Sequence, residues 1–94
     1  MNTQPEPAVL CEYWYTELPK VLSDAELLMR GLLPGDLLRL TTAHLEALSA
    51  VPMWCQATGN KLAKSSQMCE YPLGLQYIFD IERGDENVHT AGLS

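Results

Sequence analysis

The stretch from Asp36 to Val51 carries the clearest periodic pattern in the chain and constrains its fold most strongly. On a helical wheel drawn at about 100° per residue, its aliphatic residues share one half, while Arg39 and Glu46 lie in the other. The pattern predicts an amphipathic helix that begins at Asp36 and is stopped or kinked by Pro52. The apolar half spans about 180°, which is more than one neighbouring helix usually covers. It consists of Leu37, Leu38, Leu40, Leu45, Leu48 and Val51.

An earlier helix is indicated by Ser23-Asp24-Ala25-Glu26, which has the S-x-x-E form of a capping box. In this motif the serine hydroxyl accepts a backbone N–H of the first turn, and the glutamate side chain reaches back to the cap. Gly31 and the Pro34-Gly35 pair are expected to end that helix.

A third helix is predicted from Met53 to Cys69. Cys55, Leu62 and Cys69 recur every seven residues along it, and small residues fill the same side. Gly59-Asn60 offers the alternative of a turn that splits this stretch in two.

The two terminal segments have ambiguous patterns. Residues 9–18 fit either an alternating strand or a helix face. Residues 73–83 alternate like a strand but begin after a proline and end before a glycine, as helices do, and we favour a helix. The expected fold is therefore mainly α, a small bundle of three to four helices with irregular termini. The alternative is an α+β fold in which the two terminal segments pair as a short two-stranded sheet.

Domain organisation follows from length and composition. Ninety-four residues form one domain, because chains divide into several cores only at greater lengths. Residues 9–84 are expected to be that domain, with 1–8 as a flexible lead-in and 85–94 as a polar tail.

The charge balance excludes some partners. Twelve Asp and Glu oppose six Lys and Arg, which gives a net charge of −6. Binding to a nucleic-acid backbone or to an anionic membrane uses clustered basic residues, and the chain has no such cluster. No apolar run reaches the length of about 18 residues that a membrane span requires. Three widely spaced cysteines and the lack of a signal peptide favour a reducing cytoplasm.

Catalytic and metal-binding patterns are weak. The cysteines and histidines contain no close ligand pair of the kind found in zinc sites, so we expect no metal and no cofactor. A cysteine-based enzyme or redox protein remains an alternative, with Cys55 or Cys11 as the nucleophile and His44 as its base. Acidic mimicry of a nucleic acid is a second alternative, although the carboxylates are thinly spread.

The remaining hypothesis is a non-enzymatic regulator that binds a larger protein, such as a transcription regulator or a nucleoprotein complex, and inhibits or redirects it. Apolar helix faces would form the contact, by docking of a helix into a groove. The Tyr13-Trp14-Tyr15 cluster and Trp54 add aromatic side chains of the kind enriched at interfaces. A homodimer is also expected. The predicted partner-binding residues are Leu37, Leu40, His44, Leu48, Val51, Trp54, Cys55 and Leu62.

Overall fold

The chain combines one sheet with two helices in a computed structural model that describes residues 6–13, 16–70 and 74–84. This is an α+β architecture, so the prediction of a mainly helical bundle is wrong. Residues 1–5 of the lead-in predicted at 1–8, the tail predicted at 85–94, and Trp14 and Tyr15 lie outside the described residues. In chain order the elements are β1 (Val9–Tyr13), α1 (Leu18–Arg30), β2 (Leu37–Thr42), α2 (Ala47–Thr58), β3 (Lys61–Glu70) and β4 (Gly74–Glu82).

The sheet is mixed, with its four strands in the order β1-β2-β4-β3. β1 runs parallel to β2, and the other two neighbouring pairs are antiparallel. The runner-up prediction therefore has the right fold class and the wrong pairing. Its two terminal segments correspond to β1 and β4, and β2 lies between them.

β2 occupies a central position, which explains why its sequence resembles a helix face. Leu38 and Leu40 are fully buried on one side, while Leu37 and Thr41 are also buried on the other. A strand enclosed on both faces has no polar alternation and reads as a continuous apolar run. The helix predicted from Asp36 is therefore wrong for residues 37–42, and the second helix begins only at Ala47.

α1 begins five residues before the predicted cap. Glu17 precedes the helix in an extended conformation, and Pro19 lies in the first turn, where its missing N–H costs nothing. Ser23 and Glu26 are consequently inside the helix, so the capping-box interpretation is wrong.

α2 continues through Pro52 and ends at Thr58, so Pro52 does not stop it. Gly59 then adopts a left-handed conformation at φ 76°, and Asn60 N–H donates to the Cys55 carbonyl at 2.9 Å. A glycine in this conformation is a common helix ending. The predicted helix from Met53 to Cys69 is wrong as one element, and the alternative of a turn at Gly59-Asn60 is confirmed.

β4 is a strand, so the helix favoured for residues 73–83 is wrong and the alternation was the better guide. Tyr77, Phe79 and Ile81 lie directly opposite Thr42, Leu40 and Leu38. We call this side of the sheet the helix face, because its residues share one core with both helices. The helices contribute Val21, Met29, Ala47, Val51 and Cys55 to that core.

The opposite side of the sheet, here called the far face, carries the alternate residues. Arg39 and Asp80 lie directly opposite each other on β2 and β4, and Thr41 lies opposite Ile78. In the described part of the chain, neither helix is long and apolar enough to cross a membrane.

Candidate protein-binding surfaces

Four of the predicted partner-binding residues are buried. Leu40 and Val51 are fully buried, Cys55 is 2% exposed and Leu37 is 7% exposed. A side chain enclosed by its own fold offers almost no surface to another protein, so in the folded chain these four act in packing.

The other four lie at or near the surface, and three elements position them. Leu48, in the first turn of α2, is 43% exposed. Trp54 on α2 and Leu62 on β3 are half-buried and pack against the core. His44 is half-buried in the connection between β2 and α2. The structure thus retains an exposed site on α2 but does not gather all eight residues into one surface.

His44 has a positioning role in the fold. Its Nε2 lies 2.6 Å from the Thr16 carbonyl oxygen. Because a carbonyl only accepts, Nε2 carries the proton and donates it. The side chain thereby ties the β2–α2 connection to the residues just before α1. Its Nδ1 lies 3.9 Å from a Glu46 carboxylate oxygen.

The two thiols of the alternative hypothesis, a cysteine-based enzyme, are poorly suited to nucleophilic attack. Burial raises the pKa of Cys55 to about 11. Burial is also the main cause of the raised pKa of Cys11, which a hydrogen bond with Tyr13 partly offsets. The thiolate is the reactive form of cysteine, so both thiols are predominantly neutral and unreactive near neutral pH.

The raised pKa of Cys55 predicts a loss of stability in alkali. The unfolded thiol ionises near 9.0 and the folded one near about 11. The contribution of the buried thiol to the free energy of unfolding is complete below the unfolded pKa. It is lost as pH rises through the folded pKa, by about 2–3 kcal/mol in all. Urea unfolding between these pH values should show a weaker decline for Cys55→Ala than for the wild type. Equal declines in the two proteins would contradict this assignment.

Across residues 6–13, 16–70 and 74–84, no three histidine, cysteine, aspartate or glutamate side chains converge as a metal site.

The two helices and their adjoining loops carry most of the large hydrophobic residues that are exposed. Among the described residues, six of the nine large exposed hydrophobics belong to it. We call these six the helix-layer surface: Leu27, Leu28, Leu33, Leu45, Leu48 and Met53.

Sequence reasoning identified only Leu48 of that set as a contact residue. The helical wheel of α1 could have identified a further contact residue. Val21, Ala25 and Met29 define the buried stripe of this helix. Leu27 is 64% exposed and falls well away from that stripe. Correct placement of the helix start would have marked it as an apolar residue on a solvent-facing position.

The outer strand β3 is a second unusual surface. It forms one edge of the sheet, and its side chains from Ala63 to Cys69 are all exposed. Because successive side chains of a strand alternate between faces, exposure of the whole run means that neither face is covered there. The ladder with β4 is regular except for a register shift between Leu62 and Lys64.

The far face is organised by an ion pair. Arg39 Nε lies 2.7 Å from Asp80 Oδ1, and Arg39 Nη2 lies 3.0 Å from Asp80 Oδ2. The Asp80 side chain is 9% exposed and that of Arg39 41%. The hydrogen bond that Arg39 donates to Asp80 raises the pKa of Arg39, so the guanidinium stays protonated, and the bidentate contact fixes β2 against β4.

No protein-family model matches the chain, and no curated protein sequence matches it either. The surfaces described above therefore provide the basis for a functional proposal.

Proposed function

We propose that this chain is a small, non-enzymatic, acidic regulator that binds a larger protein through its helix-layer surface. The observation that carries the proposal is the number of large exposed hydrophobic side chains on the helices and their adjoining loops. Single exposed leucines are common on soluble proteins and need no explanation. Six on one layer of a 94-residue chain suggest apolar contact with a partner.

Leu48, Met53 and Leu27 are the contacts that we propose as central. Leu48 is 43% exposed, Leu27 is 64% exposed and Met53 is 69% exposed. Burial of a leucine or methionine side chain contributes about 1.5–3 kcal/mol, so a few such contacts account for a specific complex. Binding at this surface would inhibit or redirect the partner by occupying the site where it normally contacts another molecule.

The charge of the chain favours one class of partner. A net charge of −6 attracts proteins with basic surfaces, and proteins that bind nucleic acid present such surfaces. A transcription regulator or a component of a nucleoprotein complex therefore fits best. Three free cysteines support placing this interaction in a reducing cytoplasm.

Site-specific photo-crosslinking in the native host tests the proposal. A photoreactive amino acid at Leu48 should form an adduct with a larger protein. The same amino acid at Leu10, a leucine that is 68% exposed on β1, is the matched control and should give little of that adduct. Equal adduct formation from both positions, or none from Leu27, Leu48 and Met53, would remove the helix-layer surface as the binding site.

A further inference from the structure

We propose that two copies of this chain associate through antiparallel pairing of their β3 strands, with Gln67 on the two-fold axis. The product is one continuous eight-stranded sheet. The proposal concerns a second copy of the chain and does not depend on which larger protein the helix-layer surface binds.

The edge of the sheet that β3 forms is poorly protected. Proteins usually guard edge strands by making them short or by adding charges, prolines or bulges. β3 is ten residues long, and its lysines and its register shift all lie in its first four residues. The segment from Ser65 to Cys69 contains no charge, proline or irregularity. β1, at the other edge, is only five residues long.

The edge of β3 is also sterically accessible. The side chains of β3 are exposed on both faces from Ala63 to Cys69. Neither helix therefore overhangs this part of the edge. Another strand can approach to the usual spacing of about 4.8 Å without displacing α2.

The register follows from the regular part of the ladder. Pairing with β4 is continuous from Lys64 to Glu70, and Gln67 is the midpoint of that segment. A two-fold axis perpendicular to the sheet keeps both helix faces on the same side. With such an axis, residues that lie opposite each other must come from the same face of the sheet. An axis at Gln67 meets this condition, and the paired segment then begins after the register shift of β3.

This register also places compatible residues opposite each other. Lys64 of one copy lies across from position 70 of its partner, where the sequence has a glutamate, and symmetry repeats this pairing. Opposite charges at directly opposed strand positions stabilise pairing, whereas like charges weaken it. Ser65 lies opposite the other copy's Cys69, and Ser66 lies opposite Met68. All are small or flexible side chains that can pack closely.

The resulting dimer has a functional consequence. Because both helix faces point to the same side of the sheet, the two helix-layer surfaces also point to that side. A partner with two equivalent sites could then contact both copies, which strengthens binding without new contacts.

Disulfide trapping tests both the dimer and its register. In a Cys69→Ser background, Gln67→Cys places two thiols opposite each other across the axis, at the Cα separation of about 4.5–5.5 Å that a disulfide requires. Ser66→Cys is the matched control, since its two copies would be diagonal neighbours about 7–8 Å apart. Under mild oxidation, Gln67→Cys should form crosslinked dimers about tenfold faster or more. Equal rates, or faster crosslinking of Ser66→Cys, would overturn the register.

Sedimentation equilibrium of the reduced protein provides the second test. The wild type should be dimeric, and Gln67→Lys should be monomeric because it brings two added charges together at the axis. Gln56→Lys, the same exchange at an exposed position of α2, should remain dimeric. A monomeric wild type, or a dimeric Gln67→Lys protein, would overturn the interface. Neither result would affect crosslinking from Leu48 to a larger protein, so failure of the dimer is distinguishable from failure of the proposed function.

Discussion

Replacement of Leu40 by aspartate is expected to unfold the chain. Leu40 is fully buried in the central strand β2, opposite Phe79. A carboxyl group there would have its pKa raised by about 3–5 units, which corresponds to about 4–7 kcal/mol. That loss equals most or all of the stability of a typical small domain. Circular dichroism and urea unfolding should show a protein without a cooperative transition.

Leu48→Asp is the matched control for this substitution. Leu48 is 43% exposed on α2, so its aspartate stays in water and the protein should unfold cooperatively with a loss of about 1 kcal/mol or less. A folded Leu40→Asp protein together with an unfolded Leu48→Asp protein would contradict the placement of both residues.

Replacement of Arg39 by methionine should have the second-largest effect, a loss of about 3 kcal/mol. It leaves the carboxylate of Asp80, whose side chain is 9% exposed, without its bidentate partner. Removal of one member of a buried ion pair costs about 3–5 kcal/mol. We take the lower end because the Arg39 side chain is 41% exposed and already partly hydrated. The free energy of unfolding in urea measures this loss.

The double variant Arg39→Met with Asp80→Leu serves as the control for that prediction. Removal of both charges eliminates the unpaired carboxylate, so the double variant should be more stable than Arg39→Met alone. A double variant that is less stable than the single one would mean that the pair does not act through charge compensation.

The sequence predicted local features better than the fold. A helical pattern around Leu48 and Val51 correctly indicated part of α2, and the possible turn at Gly59-Asn60 was confirmed. The fold class failed because the periodic pattern from Asp36 to Val51 merged two elements. Residues 37–42 form a strand buried on both faces, and an aliphatic run of this kind fits a helix wheel equally well.

The candidate site was only partly accessible to sequence reasoning for the same physical reason. The hydrophobic pattern of a sequence indicates which residues avoid water. It does not indicate whether they are buried within their own chain or against another protein. Leu40 and Leu48 had the same predicted role, yet tertiary contacts bury the first and leave the second exposed. The open edge of β3 was also missed, because strand order depends on contacts that are distant in the sequence.

Binding affinity for the larger protein tests the central claim most directly. Once the crosslinked partner is identified, titration calorimetry should show that Leu48→Glu weakens binding by about tenfold to a hundredfold. Leu10→Glu, the same change at an exposed leucine on β1, should bind like the wild type. If Leu48→Glu binds like the wild type, or Leu10→Glu loses as much affinity, the helix-layer surface is not the site through which this protein acts.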